Sequence, residues 1–256
     1  LTVLGYDQFS DQVTKYIKSE EIGSVGIRRT ALRAVGLYAI NIDDNGERTF
    51  SYWRDSSAAR LLFQLDEDFT KLTEYDLIYF SGISLAILPD DIRCKLLNFL
   101  KKRSPELKVA FDSNYRPNLW ESKKIAQKSI KRAFMCSDVA LPSLDDELDL
   151  LELKTENEVS GWFSNKNIPQ TVLKRGPSGP RLIGTVTHDC KFPSLQNVND
   201  STAAGDSFNA GFLASYLMGY SVYDSARHGH DLAKVVVSHS GAICPKDRVK
   251  RVKRQK

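Results

Sequence analysis

The chain has 256 residues, of which 41% are hydrophobic and 27% charged, and its formal net charge is +4. This composition is that of a soluble globular protein with one large or two small domains. The sequence excludes a membrane-spanning helix, because no apolar run approaches the roughly 20 residues needed to cross a bilayer.

The first elements in chain order are two β-rich runs separated by a turn. Residues 35–42 and 48–54 have the composition of strands, and the intervening Asp-Asp-Asn-Gly sequence contains the Asn-Gly pair typical of hairpins. We therefore predict a hairpin over about residues 34–54. Since it interrupts the pattern that follows, we interpret it as a small β lid beside a main sheet.

Short apolar strands then alternate with amphipathic helices. This alternation is typical of βαβ units and a mainly parallel sheet. The sequence predicts one α/β domain over residues 1–245 that includes the lid. The predicted strands are residues 77–80, 108–112, 139–141 and 171–174, and the predicted helices are residues 89–101, 123–134 and 145–151.

Polar side chains follow several of these strands. In open α/β sheets the ligand site lies at the carboxyl ends of the strands. The residues at these positions are Ser81, Asp112, Asn114, Arg116, Lys174 and Arg175.

Residues 199–208 (NDSTAAGDSF) carry the most informative motif. Apolar residues at helical spacing follow it, which predicts a buried helix. Small residues at a helix start leave backbone N–H groups open to an anion. A carboxylate there, Asp206, also has a simpler explanation, because acids stabilise helix N-termini by about 0.3–1 kcal/mol.

Residues 200–208 resemble the motif D-T-x-[GA]-A-G-D-x-F of ribokinase-like (PfkB) carbohydrate kinases, with Ser201 in place of Thr. The resemblance implies a three-layer α/β/α fold, ATP as phosphoryl donor and Mg²⁺ bridging its phosphates. It also implies that Asp206 is the catalytic base and that the N–H groups of Ala203, Ala204, Gly205 and Asp206 form an anion hole. Both roles suit phosphoryl transfer, which depends on positioning and charge stabilisation.

Three other segments resemble the 2-keto-3-deoxygluconate kinases within that family: residues 46–54 (GERTFSYWR), 81–86 (SGISLA) and 112–120 (DSNYRPNLW). An arginine fork suits the carboxylate of an acid sugar better than a lysine does; surface ion pairing is the alternative for each arginine. The resemblance implies that the acid sugar contacts Tyr38, Tyr52, Arg54 and Arg116, with Ile83 lining the pocket.

The family resemblance also implies a nucleotide site and a metal role. Lys174, Arg175 and Gly176 correspond to the segment near the nucleotide phosphates, where Gly205 also lies. Glu147 stands where the family has the acid of an N-x-x-E motif that influences Mg²⁺, but Leu144 replaces the Asn. An acidic helix start is the simpler account of Glu147.

Residues 1–10 (LTVLGYDQFS) resemble a family segment that normally follows the first βαβ elements. We therefore expect an N-terminally truncated chain. The alternatives are another PfkB sugar kinase (a fructokinase or ribokinase) and a non-catalytic remnant or sugar-binding module. The lid hairpin could join subunits in a homo-oligomer, as it often does in this family.

The cysteines and the basic C-terminal residues give two further expectations. The four cysteines form no C-x-x-C pair, which indicates free thiols in a reducing compartment and hence the cytoplasm. Residues 246–256 hold seven Lys or Arg. We predict that this basic tail is disordered. Nucleic-acid binding is the alternative, and it would be salt-sensitive.

Overall fold

A computed structural model of the chain describes residues 1–42, 48–166, 168–184, 187–195 and 197–249. Its helices and strands alternate through most of the chain. In chain order they are β1 (Thr2–Leu4), α1 (Gln8–Ser19), β2 (Ile27–Arg29), β3 (Leu37–Ile42), β4 (Arg48–Trp53), α2 (Asp66–Leu72), β5 (Leu77–Ser81), α3 (Gly82–Ala86), α4 (Asp90–Lys102), β6 (Lys108–Asp112), α5 (Lys123–Met135), β7 (Val139–Ala140), α6 (Leu144–Leu151), α7 (Glu156–Ser164), β8 (Gln170–Leu173), β9 (Arg181–Ile183), β10 (His188–Asp189), α8 (Ala204–Leu217) and α9 (Val222–Val237).

The chain divides into two compact units. The first comprises Leu1–Ile78 and Ser84–Leu107, and the second comprises Tyr79–Ile83 and Lys108–Lys256. In the first unit, β1 and β2 form a parallel pair, and Val3, Ala58 and Leu61 form a small buried apolar cluster.

β3 and β4 pair antiparallel in the first unit, with Tyr38 opposite Tyr52 and Leu37 opposite Trp53. This agrees with the two strands predicted from the sequence. The predicted turn between them falls on residues 43–47, which lie outside the described residues. Several large side chains of the pair are exposed, among them Tyr38, Tyr52 and Trp53.

A six-stranded sheet organises the second unit, in the order β10-β9-β8-β7-β6-β5. β6, β7 and β8 run parallel, whereas β9 pairs antiparallel with both of its neighbours. The predicted mainly parallel sheet is therefore present, and its antiparallel edge comes from strands of three and two residues.

The core of the second unit forms around β6. Val109, Ala110 and Phe111 are completely buried, as expected for a strand covered on both faces. The Phe111 ring lies 4.7 Å from that of Phe80 and 5.0 Å from that of Phe134, measured between centroids. These contacts join β5, β6 and α5 into one apolar layer and leave the strand ends for polar residues.

Helices α8 and α9 pack closely because two glycines face each other across their contact. A Cβ atom on Gly229 would lie 2.6 Å from the Phe208 carbonyl oxygen, and one on Gly211 would lie 2.8 Å from that of His228. Since real Cβ atoms do not approach a carbonyl oxygen this closely, glycine sets the distance between the helices. α9 thereby supports the helix that carries the family motif.

The predicted basic tail is described in part. Lys246–Arg248 form a single 3-10 turn, and residues 250–256 lie outside the described residues. The predicted disorder of this tail therefore stays a prediction. No helix in the described ranges is both long and apolar enough to cross a membrane.

Candidate active site

Ala203 immediately precedes helix α8 and adopts a left-handed backbone conformation with φ 60° and ψ 17°. A non-glycine residue in this region is uncommon, and it turns the chain sharply into the helix. Just before it, the buried carboxylate of Asp200 accepts hydrogen bonds from the backbone N–H of Thr202 (2.9 Å) and of Gly241 (2.7 Å). Asp200 therefore holds the loop that precedes α8.

The first turn of α8 presents its donors and its acid outward. The Asp206 side chain is exposed, while Phe208 and Asn209 on the following turn are buried. The backbone N–H groups of Gly205 and Asp206 find no acceptor among the described residues. With the helix dipole, these groups form a position suited to a bound anion next to a carboxylate.

A cavity of about 610 Å³ in the second unit lies against this turn. Its volume is within the range of small-molecule sites. Its lining includes Ser143, Lys174, Gly176, Ser201, Gly205, Phe208, His230, Lys234 and Val237. Another cavity, of about 600 Å³, lies in the first unit and contains none of the predicted site residues; its lining includes Thr73, Tyr75, Asn98, Lys102 and Glu106.

Lys174 follows β8 and lies beside the helix start. Its Nζ atom is 2.7 Å from Oδ2 of Asp112, the last residue of β6, and 3.2 Å from Oδ1 of Asn209. The Asn209 amide nitrogen donates to Asp112 Oδ2 (2.6 Å) and to the Tyr79 hydroxyl (3.1 Å). Loss of water contact and the negative charge of Asp112 raise the pKa of Tyr79, which keeps its hydroxyl protonated.

The sequence identified Lys174 and Asp112 as residues that follow strands, but it did not identify Asn209 or Tyr79 as site residues. Asn209 lies three residues after Asp206 in α8, so helical spacing places both on neighbouring positions of one face. That spacing is the signal that could have identified it.

Arg175 and Gly176 line the same cavity, but the Arg175 guanidinium is held by protein groups. Its Nη1 lies 2.6 Å from Glu156 and 3.1 Å from Asp189, and Nε donates to the Gly179 carbonyl oxygen. Its side chain is only 7% exposed. The predicted contact of Arg175 with a nucleotide stays a prediction.

Arg116 lies in the loop after β6 and its side chain is half exposed. Its Nη1 donates to the Tyr115 carbonyl oxygen (2.7 Å) and lies 3.4 Å from Oδ1 of Asp146. Oδ2 of Asp146 accepts from the backbone N–H of Tyr115 (3.1 Å). The first turn of α6 thus fixes this loop. Ile83, the predicted pocket-lining residue, is partly buried in α3.

The three predicted lid residues come together in the first unit. The Tyr38 and Tyr52 rings are 6.1 Å apart between centroids, and the Arg54 guanidinium carbon lies 4.0 Å from the centroid of the Tyr52 ring. This places a cation on an aromatic face, an arrangement that orients an arginine. Pairing of this hairpin between subunits stays a prediction.

Glu147 is completely buried in α6. Burial raises the pKa of its carboxyl to about 8, and the Ser113 hydroxyl opposes that rise only in part. Neither carboxyl oxygen has a hydrogen bond of normal geometry with a described residue. The described ranges contain no group of three His, Cys, Asp or Glu side chains arranged to hold a metal ion.

Comparison with known proteins assigns the chain to a class. A family model for pfkB family carbohydrate kinases matches residues 1–248. A PfkB protein of Polaromonas sp. JS666 superposes with a TM-score of 0.81 at 22% identity, over 93% of this chain and 78% of that one. The chain belongs to the pfkB family and is a sugar kinase, and the predicted ribokinase-like α/β fold is confirmed.

Within the family, 2-dehydro-3-deoxygluconokinase (2-keto-3-deoxygluconate kinase) of Escherichia coli K12 is 38% identical over 96% of this chain and 82% of its own length. The resemblance noted from residues 46–54, 81–86 and 112–120 is thereby confirmed. A fructokinase of Vibrio cholerae O395, solved with fructose, ADP and calcium ion, shares the fold with a TM-score of 0.80 at 19% identity, over 94% of this chain and 80% of that one.

Proposed function

We propose that this sugar kinase transfers the terminal phosphoryl group of ATP to the terminal hydroxyl of 2-keto-3-deoxygluconate. The observation that carries the proposal is the first turn of α8. There an exposed carboxylate, Asp206, stands beside two backbone N–H groups that have no acceptor among the described residues. Ala204 and Gly205 of the same turn line a cavity of about 610 Å³.

In this proposal Asp206 is the general base. It accepts the proton of the sugar hydroxyl as that oxygen forms a bond to the γ-phosphorus. The bond from phosphorus to the β–γ bridging oxygen breaks, leaving ADP and the 6-phospho acid. The N–H groups of Ala203, Gly205 and Asp206 stabilise the negative charge that develops on the transferred group, as oxyanion-hole donors do. The N–H group of Ala204, which the sequence also placed in the anion hole, donates to the Ser201 carbonyl oxygen at 3.2 Å.

The nucleotide is proposed to lie in the cavity against α8 and α9. The Vibrio cholerae fructokinase of the same fold was solved with ADP, which supports a nucleotide site in this fold. Gly205 allows close approach of a phosphate to the backbone, and Gly176 and Lys174 line the same cavity. Phe208 and Val237 offer apolar surface to the adenine.

Mg²⁺ would neutralise part of the charge of the phosphates. Such ions usually keep several waters and use one or two carboxylates with substrate phosphates, so a cage of protein ligands is not required. The Glu147 carboxyl is buried and its raised pKa favours the neutral acid, a poor ligand for this ion. We therefore propose that the phosphates hold Mg²⁺ without direct ligation by Glu147.

The acid sugar is proposed to bind through arginine. The identity with E. coli 2-dehydro-3-deoxygluconokinase supports this substrate over fructose or ribose. Arg116 has a half-exposed guanidinium, so part of it is open to a carboxylate. The family resemblance is the basis on which Tyr38, Tyr52 and Arg54 of the hairpin, and Ile83, are also proposed as sugar contacts.

A coupled assay of ADP release tests the proposal, with 2-keto-3-deoxygluconate, fructose and ribose as acceptors. Asp206→Asn should lower kcat roughly 10²–10⁴-fold, the range for loss of a general base. Asp91→Asn is the matched control, because Asp91 is also an exposed acid in the first turn of a helix. Undiminished turnover in Asp206→Asn would contradict the mechanism, and no turnover with any acceptor would favour a sugar-binding module.

A further inference from the structure

Four side chains, from β5, β6, the residue after β8 and α8, meet in a buried polar group that we call the strand-end cluster: Tyr79, Asp112, Lys174 and Asn209. The carboxylate of Asp112 accepts three hydrogen bonds, from the Asn114 backbone N–H at Oδ1 and from Lys174 and Asn209 at Oδ2. The side chains of Lys174 and Asp112 are 9% and 4% exposed. Removing an ion pair from water to this degree is expensive and seldom improves stability over apolar packing.

The ion pair has a defined orientation toward the site. Lys174 Nζ lies 3.6 Å from the position that a Cβ atom on Gly205 would occupy, and no atom of the Asp112 or Asn209 side chains is within 4 Å of that position. The positive end of the pair therefore faces the first turn of α8, and the negative end lies behind it at the end of β6. A fixed dipole of this sense favours an anion at Gly205.

Asn209 couples this charge to the helix. It donates to Asp112, accepts from Lys174, and lies one turn beyond Asp206 in α8. Because Asn209 is only 1% exposed, its carboxamide has few alternative partners. The cluster thus fixes both the location of the ammonium and the rotation of the helix turn that carries the proposed base.

We infer that Lys174 is a positioning residue for the transferred phosphoryl group, held in place by Asp112 and Asn209. Its ammonium acts through the first turn of α8, adding positive potential to the amide groups where negative charge develops. This rests on the proposed function, in which those amides receive the phosphoryl group. It explains why a chain would bury an ion pair at this point.

The test separates the effect of the Lys174 charge on kcat from the effect of the ion pair on stability. Lys174→Met alone leaves the Asp112 carboxylate buried without its cation, so this variant should be strongly destabilised. The double variant Asp112→Asn/Lys174→Met removes both charges and keeps amide groups that can bond Asn209. We expect the double variant to regain much of the urea midpoint while its kcat stays lower than wild type by at least about tenfold, below the 10²–10³-fold cost of losing an oxyanion-hole donor.

The matched control is the exposed pair Lys123–Asp149, whose Nζ and Oδ1 atoms are 2.9 Å apart in the same unit. The same substitutions there, Lys123→Met and Asp149→Asn, should leave kcat unchanged. Lys174→Arg retains the positive charge and should therefore keep a higher kcat than Lys174→Gln. If the double variant does not fold, comparison of these two single variants tests the role of the charge.

The outcomes are distinct. Recovery of kcat together with the urea midpoint in the double variant would overturn the inference and make the cluster purely structural. A raised KM for ATP with normal kcat would also overturn it, since the lysine would then act in ground-state binding. Failure of Asp206→Asn to lower kcat would remove the proposed function itself. Loss of activity in Asp206→Asn with normal kcat in the double variant would remove only the role of Lys174.

Discussion

Oδ2 of Asp200 accepts a 2.7 Å hydrogen bond from the backbone N–H of Gly241, which joins the loop before α8 to the segment after α9. Asp200 is 6% exposed, whereas Asp206 at the other end of the same motif is exposed. The two acids of the family motif thus have different physical environments. Asp200 accepts hydrogen bonds from the backbone, whereas Asp206 faces outward at the helix start.

This difference predicts opposite effects of two substitutions. Asp200→Ala should lower the free energy of unfolding by about 1–3 kcal/mol, because the backbone N–H groups of Thr202 and Gly241 lose their buried charged acceptor. Asp206→Asn should change stability by less than about 1 kcal/mol, the value of one acid at a helix start, while removing most of kcat. Urea unfolding followed by tryptophan fluorescence, beside the ADP assay, measures both. Equal loss of stability in the two variants would refute the distinction.

Arg116 should distinguish acid from neutral sugars. Arg116→Met should lower kcat/KM for 2-keto-3-deoxygluconate roughly 10- to 150-fold, which corresponds to the loss of one charge-assisted hydrogen bond. Any turnover of fructose should change little, because fructose has no carboxylate. Arg54→Met should behave in the same way if the hairpin contributes to the carboxylate site. Arg248→Met, an exposed arginine outside the proposed site, is the control. Equal losses with both sugars would exclude carboxylate recognition by Arg116.

Glu147 should make stability depend on pH. Burial raises its pKa from the usual 4.5 to about 8, so between these values the folded protein keeps a proton that the unfolded chain releases. The free energy of unfolding should therefore fall as pH rises from about 4.5 to about 8, by up to about 1.4 kcal/mol per pH unit from this group. Below pH 4.5 both states are protonated and the slope ends.

Glu147→Gln should abolish that slope, because glutamine stays neutral. Urea midpoints at pH 5.5, 6.5 and 7.5 measure this slope. The midpoint of the variant should rise relative to that of the wild type as pH rises. Glu67→Gln, at an exposed acid in the first turn of α2, is the control and should run parallel to the wild type. Parallel curves for Glu147→Gln would mean that the carboxyl ionises normally in the folded protein.

The periodic pattern of apolar residues predicted those helices and strands that are long enough to show a period. The buried run of β6 matches its predicted bounds, and each end of α4, α5 and α6 lies within one residue of its predicted position. Strands β9 and β10, of three and two residues, are too short for a period to appear, and their antiparallel pairing depends on contacts beyond the local sequence. The element types follow from local physics, and the antiparallel edge of the sheet does not.

The geometry of the candidate site was predictable where a motif stands in one segment, as at the helix start that carries Gly205 and Asp206. It was not predictable where partners come from distant segments. Lys174 and Asp112 are 62 residues apart, and Asn209 and Asp112 are 97 apart. Arg175 shows the same limit, because the acids that hold its guanidinium, Glu156 and Asp189, lie on other elements. A polar residue after a strand thus indicates the site, but its hydrogen-bond partner depends on the fold.

The last prediction concerns the contact between α8 and α9, through which α9 supports the helix that carries Asp206. A Cβ atom on Gly229 would be 2.6 Å from the Phe208 carbonyl oxygen, a backbone atom that cannot move without moving α8. Gly229→Ala should therefore destabilise the protein by about 1–3 kcal/mol, the typical cost of overpacking. It should also lower kcat, because Phe208 lies two residues after Asp206.

Gly161 in α7 is the matched control, since a Cβ atom there meets nothing within 4 Å. Gly161→Ala should stabilise the protein by about 0.5–1 kcal/mol, because alanine has the better helix propensity and no clash opposes it. Its kcat should equal that of the wild type. If both alanine variants were equally stable and active, the close approach of the two helices could not be what holds the first turn of α8 in place.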